Sequence, residues 1–303
     1  HRDRLVVTNL RDRTITILSI PSRTVLATVR VGAEPVGVTF IDERRVIVAL
    51  QAEDAVVIVD VEDGVAVDRI ALASAKPRSV AFLANGLVQV SHLLGGVTTM
   101  VNPVTRATSE RLGDANSTMV GSIVVTPDGA TAMIPATRTV QASQVPAYYA
   151  LTADSQTAEL VQGDNVFGPR RVASLNVDPD FTAAALLDGL SSIATLSRGT
   201  HTLRISPLRG LALDSHRDTR SFSIEVGHGA DGLALGEDGK TLYVHNAFDL
   251  TIQQVDLGFI TAGYAGAACR VEYGCNALEP IVSTHAFSAV SYTHLTLPTN
   301  REV

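Results

Sequence analysis

The chain predicts an all-β fold of repeated four-stranded antiparallel units, a β-propeller, and two observations carry that expectation. The first is a repeat. Leu5-Val-Val-Thr-Asn9, Thr14-Ile-Thr-Ile-Leu-Ser-Ile20 and Thr24-Val-Leu-Ala-Thr-Val-Arg-Val31 are three β-rich runs, followed by a Gly32-Ala-Glu-Pro35 link and Val36-Gly-Val-Thr-Phe40. The same order returns as Arg45-Val-Ile-Val-Ala-Leu50, Ala55-Val-Val-Ile-Val-Asp-Val61, Val65-Ala-Val-Asp-Arg-Ile-Ala-Leu72, a Lys76-Pro77 link and Ser79-Val-Ala-Phe82. Downstream, Gly227-His-Gly-Ala230, Gly232-Leu-Ala-Leu235, Thr241-Leu-Tyr-Val-His-Asn246 and Thr251-Ile-Gln-Gln-Val-Asp256 replay it. Short strands at a period of roughly 40–45 residues are the pattern of a propeller blade. The second observation is alternation within strands. Ile15 and Ile17 share one face of their strand while Thr14 and Thr16 share the other. Over residues 55–61 both faces are apolar, as in a strand covered on each side by a neighbouring blade.

Composition fits this architecture. The 303 residues are 46% hydrophobic and 18% charged, enough to build a large core. Val, Thr and Ile dominate the repeats, as pleated and half-buried surfaces favour. The net charge is −7 and the arginines are scattered, which argues against a nucleic-acid partner. No run reaches the roughly 18–20 apolar residues of a membrane span, so no span is expected in this stretch of chain.

Innermost strands are expected around residues 36–40, 80–83, 122–126, 172–176 and 233–235. Asp128-Gly129 and Asp238-Gly239 mark tight turns leaving such strands, because glycine accepts positive φ. An intact ring is expected to hold about six to seven blades, with this chain incomplete. Residues 1–262 are assigned to the propeller, truncated at its N-terminus so that the first unit lacks its innermost strand. Residues 263–289 are assigned to a linker or the start of a further domain. In residues 290–303, Val290-Ser-Tyr-Thr-His-Leu-Thr-Leu-Pro-Thr299 reads as a translated sequencing adapter and is set aside from fold reasoning.

A family resemblance follows from these residues. Leu5-Val-Val-Thr-Asn9 and Leu242-Tyr-Val-His-Asn246 resemble the YVTN repeats of bacterial and archaeal propellers, a WD40-like and quinoprotein-like class. A narrower resemblance rests on Met133-Ile-Pro-Ala-Thr-Arg138, Tyr148-Tyr-Ala-Leu151 and Tyr243-Val-His-Asn-Ala-Phe-Asp249. These are similar to propellers fused ahead of di-haem cytochrome c peroxidase-like domains. That resemblance implies export to the periplasm or outside the cell, with haem c and peroxidase-type activity in a domain beyond this chain. The sequence itself carries no Cys-x-x-Cys-His attachment site, so no cofactor is expected within it.

Few residues invite a chemical role. Cys269 and Cys275, the only cysteines, flank a short loop, and a disulfide or two free thiols are both open. Two thiolates alone are too few for a structural zinc site. The histidines have no metal-ligand spacing, and no Walker A, H-E-x-x-H or G-x-S-x-G motif occurs. Turns after the second strand of each blade emerge on the same face as the links between blades. That face is expected to gather Asn9, Asp12, Asp54, His92, Arg138, His228, His245, Asn246 and Asp249. A ring of such groups around a channel is a place to bind a protein domain or a small molecule, although Asn and Asp also cap turns. The leading reading is a non-catalytic binding or scaffold module that docks a redox domain. The alternatives are a channel-site enzyme, such as a lactonase or quinone-dependent dehydrogenase, and a cell-envelope interaction protein.

Overall fold

The computed structural model describes residues 3–112, 117–119, 122–125, 129, 132–140, 155–162, 170–176, 181–187, 192–207, 222–257 and 282–286. Within them the chain is all-β. The first sheet has three antiparallel strands, β1 (Arg4–Asn9), β2 (Thr14–Ser19) and β3 (Thr24–Arg30). The second runs β4 (Pro35–Phe40), β5 (Arg45–Leu50), β6 (Ala55–Asp60) and β7 (Val65–Ala71). The third runs β8 (Pro77–Phe82), β9 (Val88–His92), β10 (Val97–Val101) and β11 (Thr108–Leu112). In the fourth, β12 (Ser117–Met119), β14 (Ala132–Val140), β15 (Ser155–Gln162) and β16 (Arg170–Asn176) lie in that order, with β13 (Val124–Val125) also pairing β14. The fifth holds β17 (Phe181–Leu187), β18 (Ser192–Ser197), β19 (Thr202–Pro207) and β20 (Phe222–Glu225). The sixth holds β21 (Ala230–Leu235), β22 (Thr241–Asn246), β23 (Thr251–Asp256) and β24 (Val282–Ala286). Five sheets thus contain a run of four antiparallel strands, and together the sheets form the blades of a β-propeller.

The core lies between blades. Val46, Val48 and Leu50 on one face of β5 pack with Val6, Ile15 and Ile17 of the first sheet. Ile47 and Ala49 on the opposite face pack with Val80, Val88 and Val90 of the third. Every residue of β6 is buried, which is why its sequence shows no polar face. Fully burying each such Val or Ile stabilises the fold by roughly 1.5–3 kcal/mol. The fifth and sixth sheets repeat the arrangement, with Leu196 and Leu203 against Leu242 and Val244.

Turns far from the links are capped by their own side chains. Asp42 Oδ1 accepts from the amides of Arg44 at 2.9 Å and Arg45 at 2.6 Å. Asp238 Oδ1 does the same for Lys240 and Thr241 at 2.9 and 3.0 Å. Between third and fourth strands, Asn102 Oδ1 accepts from Val104 and Thr105, both at 2.9 Å. These are Asx turns, set locally by sequence.

Two placements differ from the expected strand list. Residues 172–176 belong to β16, the outer strand of the fourth sheet, and the strand that opens the fifth is β17. Alternation alone does not separate an inner from an outer strand. The apolar run Ala183-Ala-Ala-Leu-Leu187 is the stronger sign of an inner position. The last strand of the sixth sheet, β24, comes from within the stretch assigned above to a linker.

Candidate functional site

Most of the polar residues expected on the loop face turn out to hold the scaffold together. The last residue of the second strand in a blade reaches to the third strand. Asn9 Nδ2 donates to Thr14 Oγ1 at 3.1 Å and Thr16 Oγ1 at 2.8 Å. Asn246 Nδ2 donates to Thr251 Oγ1 at 3.1 Å and Gln253 Oε1 at 2.8 Å. In the third sheet His92 takes this place, with Nε2 2.8 Å from Thr99 Oγ1 and Nδ1 3.0 Å from the Ala75 carbonyl oxygen. In the second sheet the same positions are Leu50, Ala55 and Val57, all buried. A polar set and an apolar set therefore fill one structural slot.

The His92 network fixes its tautomer. A carbonyl oxygen only accepts, so Nδ1 carries the hydrogen and Nε2 accepts from the Thr99 hydroxyl. His92 is fully buried, and burial holds its pKa below the ordinary imidazole value.

Carboxylates in the next turn clamp the links. Glu53 accepts from the Ala33 amide and pairs with Arg69. At the equivalent place Asp249 Oδ2 accepts from the His228 amide at 2.6 Å, and His228 Nδ1 lies 3.1 Å from Asp249 Oδ1. In each case the backbone N–H is the leading cause that lowers the carboxyl pKa. Asp54, in the left-handed region at φ 47°, accepts from the Lys76 amide at 2.8 Å through Oδ1. Asp12 sits in the matching turn of the first sheet and is exposed. His228 meets His201 edge to face, with ring centroids 4.5 Å apart. Arg138 lies on β14 opposite Ser117 and Thr157, and its side chain is outside the described residues. Cys269 and Cys275 also lie outside them.

A different set of residues faces the axis of the ring. The second residue of β4, β8, β17 and β21 falls at a register shift against the neighbouring strand. A β-bulge leaves such a residue unpaired and re-aims its side chain. The bulge residues Val36, Arg78, Thr182 and Asp231 all line one cavity of about 300 Å³, whose walls also include small residues such as Ser79 and Ser122. Several hydroxyls here tie one blade to the next. Thr8 Oγ1 donates to the Val36 carbonyl at 3.0 Å, Thr182 Oγ1 to the Ala230 carbonyl at 3.0 Å, and Ser79 Oγ accepts from the Ile123 amide at 3.0 Å.

Two ionisable bulge residues remain, Arg78 in the third blade and Asp231 in the sixth. Asp231 Oδ1 lies 2.7 Å from His245 Nδ1, so His245 contacts a residue of the channel wall, whereas His92 and Asn246 are fully buried. Sequence reading missed Arg78 and Asp231. Their signal was position: each directly follows the residue that ends a blade link, Pro77 or Ala230. Among the described residues no group of three or more His, Cys, Asp or Glu side chains is placed to hold a metal ion.

No family model matches the chain, and no curated protein matches it. Solved structures do. Hydrazine synthase of Kuenenia stuttgartiensis aligns at 15% identity and a TM-score of 0.58, over 84% of this chain and 92% of that one. A functionally unknown protein from Desulfotomaculum acetoxidans aligns at 12% identity and a TM-score of 0.61, over 84% and 75%. The protein U3-55K aligns at 14% identity and a TM-score of 0.59, over 80% and 70%. Likeness at these identities reaches the fold and stops there: the chain is similar to β-propellers.

Proposed function

We propose that the chain is a non-catalytic binding and scaffold propeller of YVTN type, from a bacterial protein exported to the periplasm or beyond. Its polar loop face docks another domain, and by the resemblance stated above that domain carries c-type haem. The observation that carries the binding reading is the division of labour among polar groups. Asn9, Asn246, His92, Asp54 and Asp249 are engaged in holding strands and links, which favours a rigid platform over a set of acid–base groups. Rigid loops and links on a propeller suit partner recognition. The chain has no haem attachment motif, so haem belongs to the partner and no step is assigned to it here.

The test is a long read through the source locus. In-frame Cys-x-x-Cys-His motifs downstream are the expected result. Envelope-anchoring or adhesion modules in their place would move the reading to a surface interaction protein. Lactonase or dye-linked dehydrogenase turnover by the purified chain would overturn the non-catalytic assignment.

A further inference from the structure

We infer that the channel holds a binding site for a small carboxylate that also carries a hydrogen-bond donor, such as a hydroxy acid or an amino acid. This goes beyond domain docking and does not depend on it, because the site lies on the ring axis rather than on the loop face.

Four observations carry the inference. The cavity measures about 300 Å³, the lower end of the range in which small-molecule sites fall. That volume suits a metabolite rather than a folded segment. Its walls come from the inner strands of several blades, so a ligand there would touch side chains that no single blade could assemble. Bulges aim the key residues inward at one repeated position, which is an arrangement of backbone rather than a chance rotamer.

The chemistry is set by the two charged bulge residues. Arg78 lines the cavity, is half-buried and has no ion pair among the described residues, so no described carboxylate neutralises its charge. Arginine offers a planar fork of donors that matches a carboxylate in two parallel bonds. Asp231 stands three blades away, with Oδ1 already held by His245 and Oδ2 left to accept. A hydroxyl or ammonium group is what such an oxygen takes. Thr182 and Ser79 do not compete, since their hydroxyls are tied to neighbouring blades. The ligand thus needs a carboxylate at one end and a donor at the other. A simple carboxylate satisfies half of the site and a neutral sugar satisfies the other half.

The experiment is isothermal titration calorimetry of the full chain with gluconate, γ-aminobutyrate and L-serine, using acetate and glucose as controls. At least one of the first three is expected to bind, more tightly than acetate and with glucose inactive. Arg78→Gln is expected to weaken that binding by about tenfold or more, as loss of a charge-assisted pair does, while Arg78→Lys weakens it less. Asp231→Asn is expected to reduce the advantage over acetate. Should the variants fail to fold, the Arg78 Nε–H resonance of the unaltered chain supplies the same answer by shifting on titration. Absence of binding by all three probes at millimolar concentration overturns the proposal. So does binding that Arg78→Gln leaves unchanged, and glucose binding in preference to the acids would assign the cavity to neutral sugars.

Discussion

At the residue scale, Asn9, His92 and Asn246 show why a motif residue is hard to read alone. Each has the chemistry of a ligand contact and each falls in the sequence of the candidate loop face. Asn9 and Asn246 find partners five and seven positions onward in the next strand, and His92 finds one seven onward, which is visible only once strand pairing is known. In the second blade Leu50, Ala55 and Val57 fill the same slot with apolar side chains, so strand pairing there does not require polar partners. Replacing Asn9 by Leu should therefore leave the Thr14 and Thr16 hydroxyls unpartnered and cost about 1–2 kcal/mol. Adding Thr14→Ala and Thr16→Val should recover most of that loss, measured by chemical denaturation. If the triple variant is less stable than Asn9→Leu alone, the slots are not interchangeable. His92 makes a second prediction, with a sign fixed by linkage. Burial outweighs the Ala75 hydrogen bond and the Glu110 and Asp54 charges, so the folded pKa sits below the unfolded one near 6.5. The unfolded chain then binds more protons in mild acid, and stability falls as pH drops through the window between the two values. His92→Asn, which copies Asn9 and Asn246, should flatten the loss of unfolding free energy between pH 7.5 and pH 5.5. An unchanged slope would place the acid sensitivity in other groups.

At the scale of elements, the repeat made strand identity and order largely legible, because alternation and Asx turns are local signals. The fourth and fifth blades were the exception. In the fourth, β14 and β15 are longer than the strands of the regular repeat, so the spacing no longer marks where the fifth begins. The inward bulges were invisible for a different reason: a bulge is a mismatch between two strands, and neither sequence shows it alone. Contacts between inner strands also depend on glycine in a way that composition does not reveal. A Cβ placed on Gly37 would stand 2.8 Å from the Ser79 Cα and 3.0 Å from the Arg78 carbonyl oxygen. Both are backbone atoms of β8, which cannot rotate aside, so β4 and β8 would have to separate. Gly37→Ala should cost about 1–3 kcal/mol, the usual range for overpacking, and appear as a lowered melting temperature. It should also disturb Arg78, whose own carbonyl is pushed, and weaken any channel ligand along with stability. A neutral Gly37→Ala would mean that the second and third blades meet less closely than described.

At the scale of the whole molecule, the ring is not equally covered. Val46 and Val48 of β5 are fully buried against the first sheet, yet their counterparts on β1, Leu5 and Val7, are 51% and 41% exposed. On the sixth sheet Leu242 and Val244 are buried against the fifth, whereas Tyr243 on the other face is 39% exposed. The uncovered faces are those turned away from a packed neighbour, so the seam lies between the first and sixth sheets, each of which is packed on its other side. The first sheet adds a second asymmetry. β1 occupies the place that β5 and β22 hold as second strands, but among the described residues it pairs with β2 alone. In an antiparallel pair only alternate residues bond across a given edge, so half of the β1 amides face an edge with no strand beside it among the described residues. β5 is paired on both edges, by β4 and β6. Amide hydrogen exchange should separate the two strands. Alternate β1 amides should exchange orders of magnitude faster than those of β5, with slower protection returning toward β6, because local opening follows from unpaired backbone and thin apolar cover. Uniform, β5-like protection along β1 would show that another strand occupies the free edge in solution. In that case Thr8 and Leu10, which now line the cavity, would be screened from it, and the channel would be narrower than the one bounded by Arg78 and Asp231.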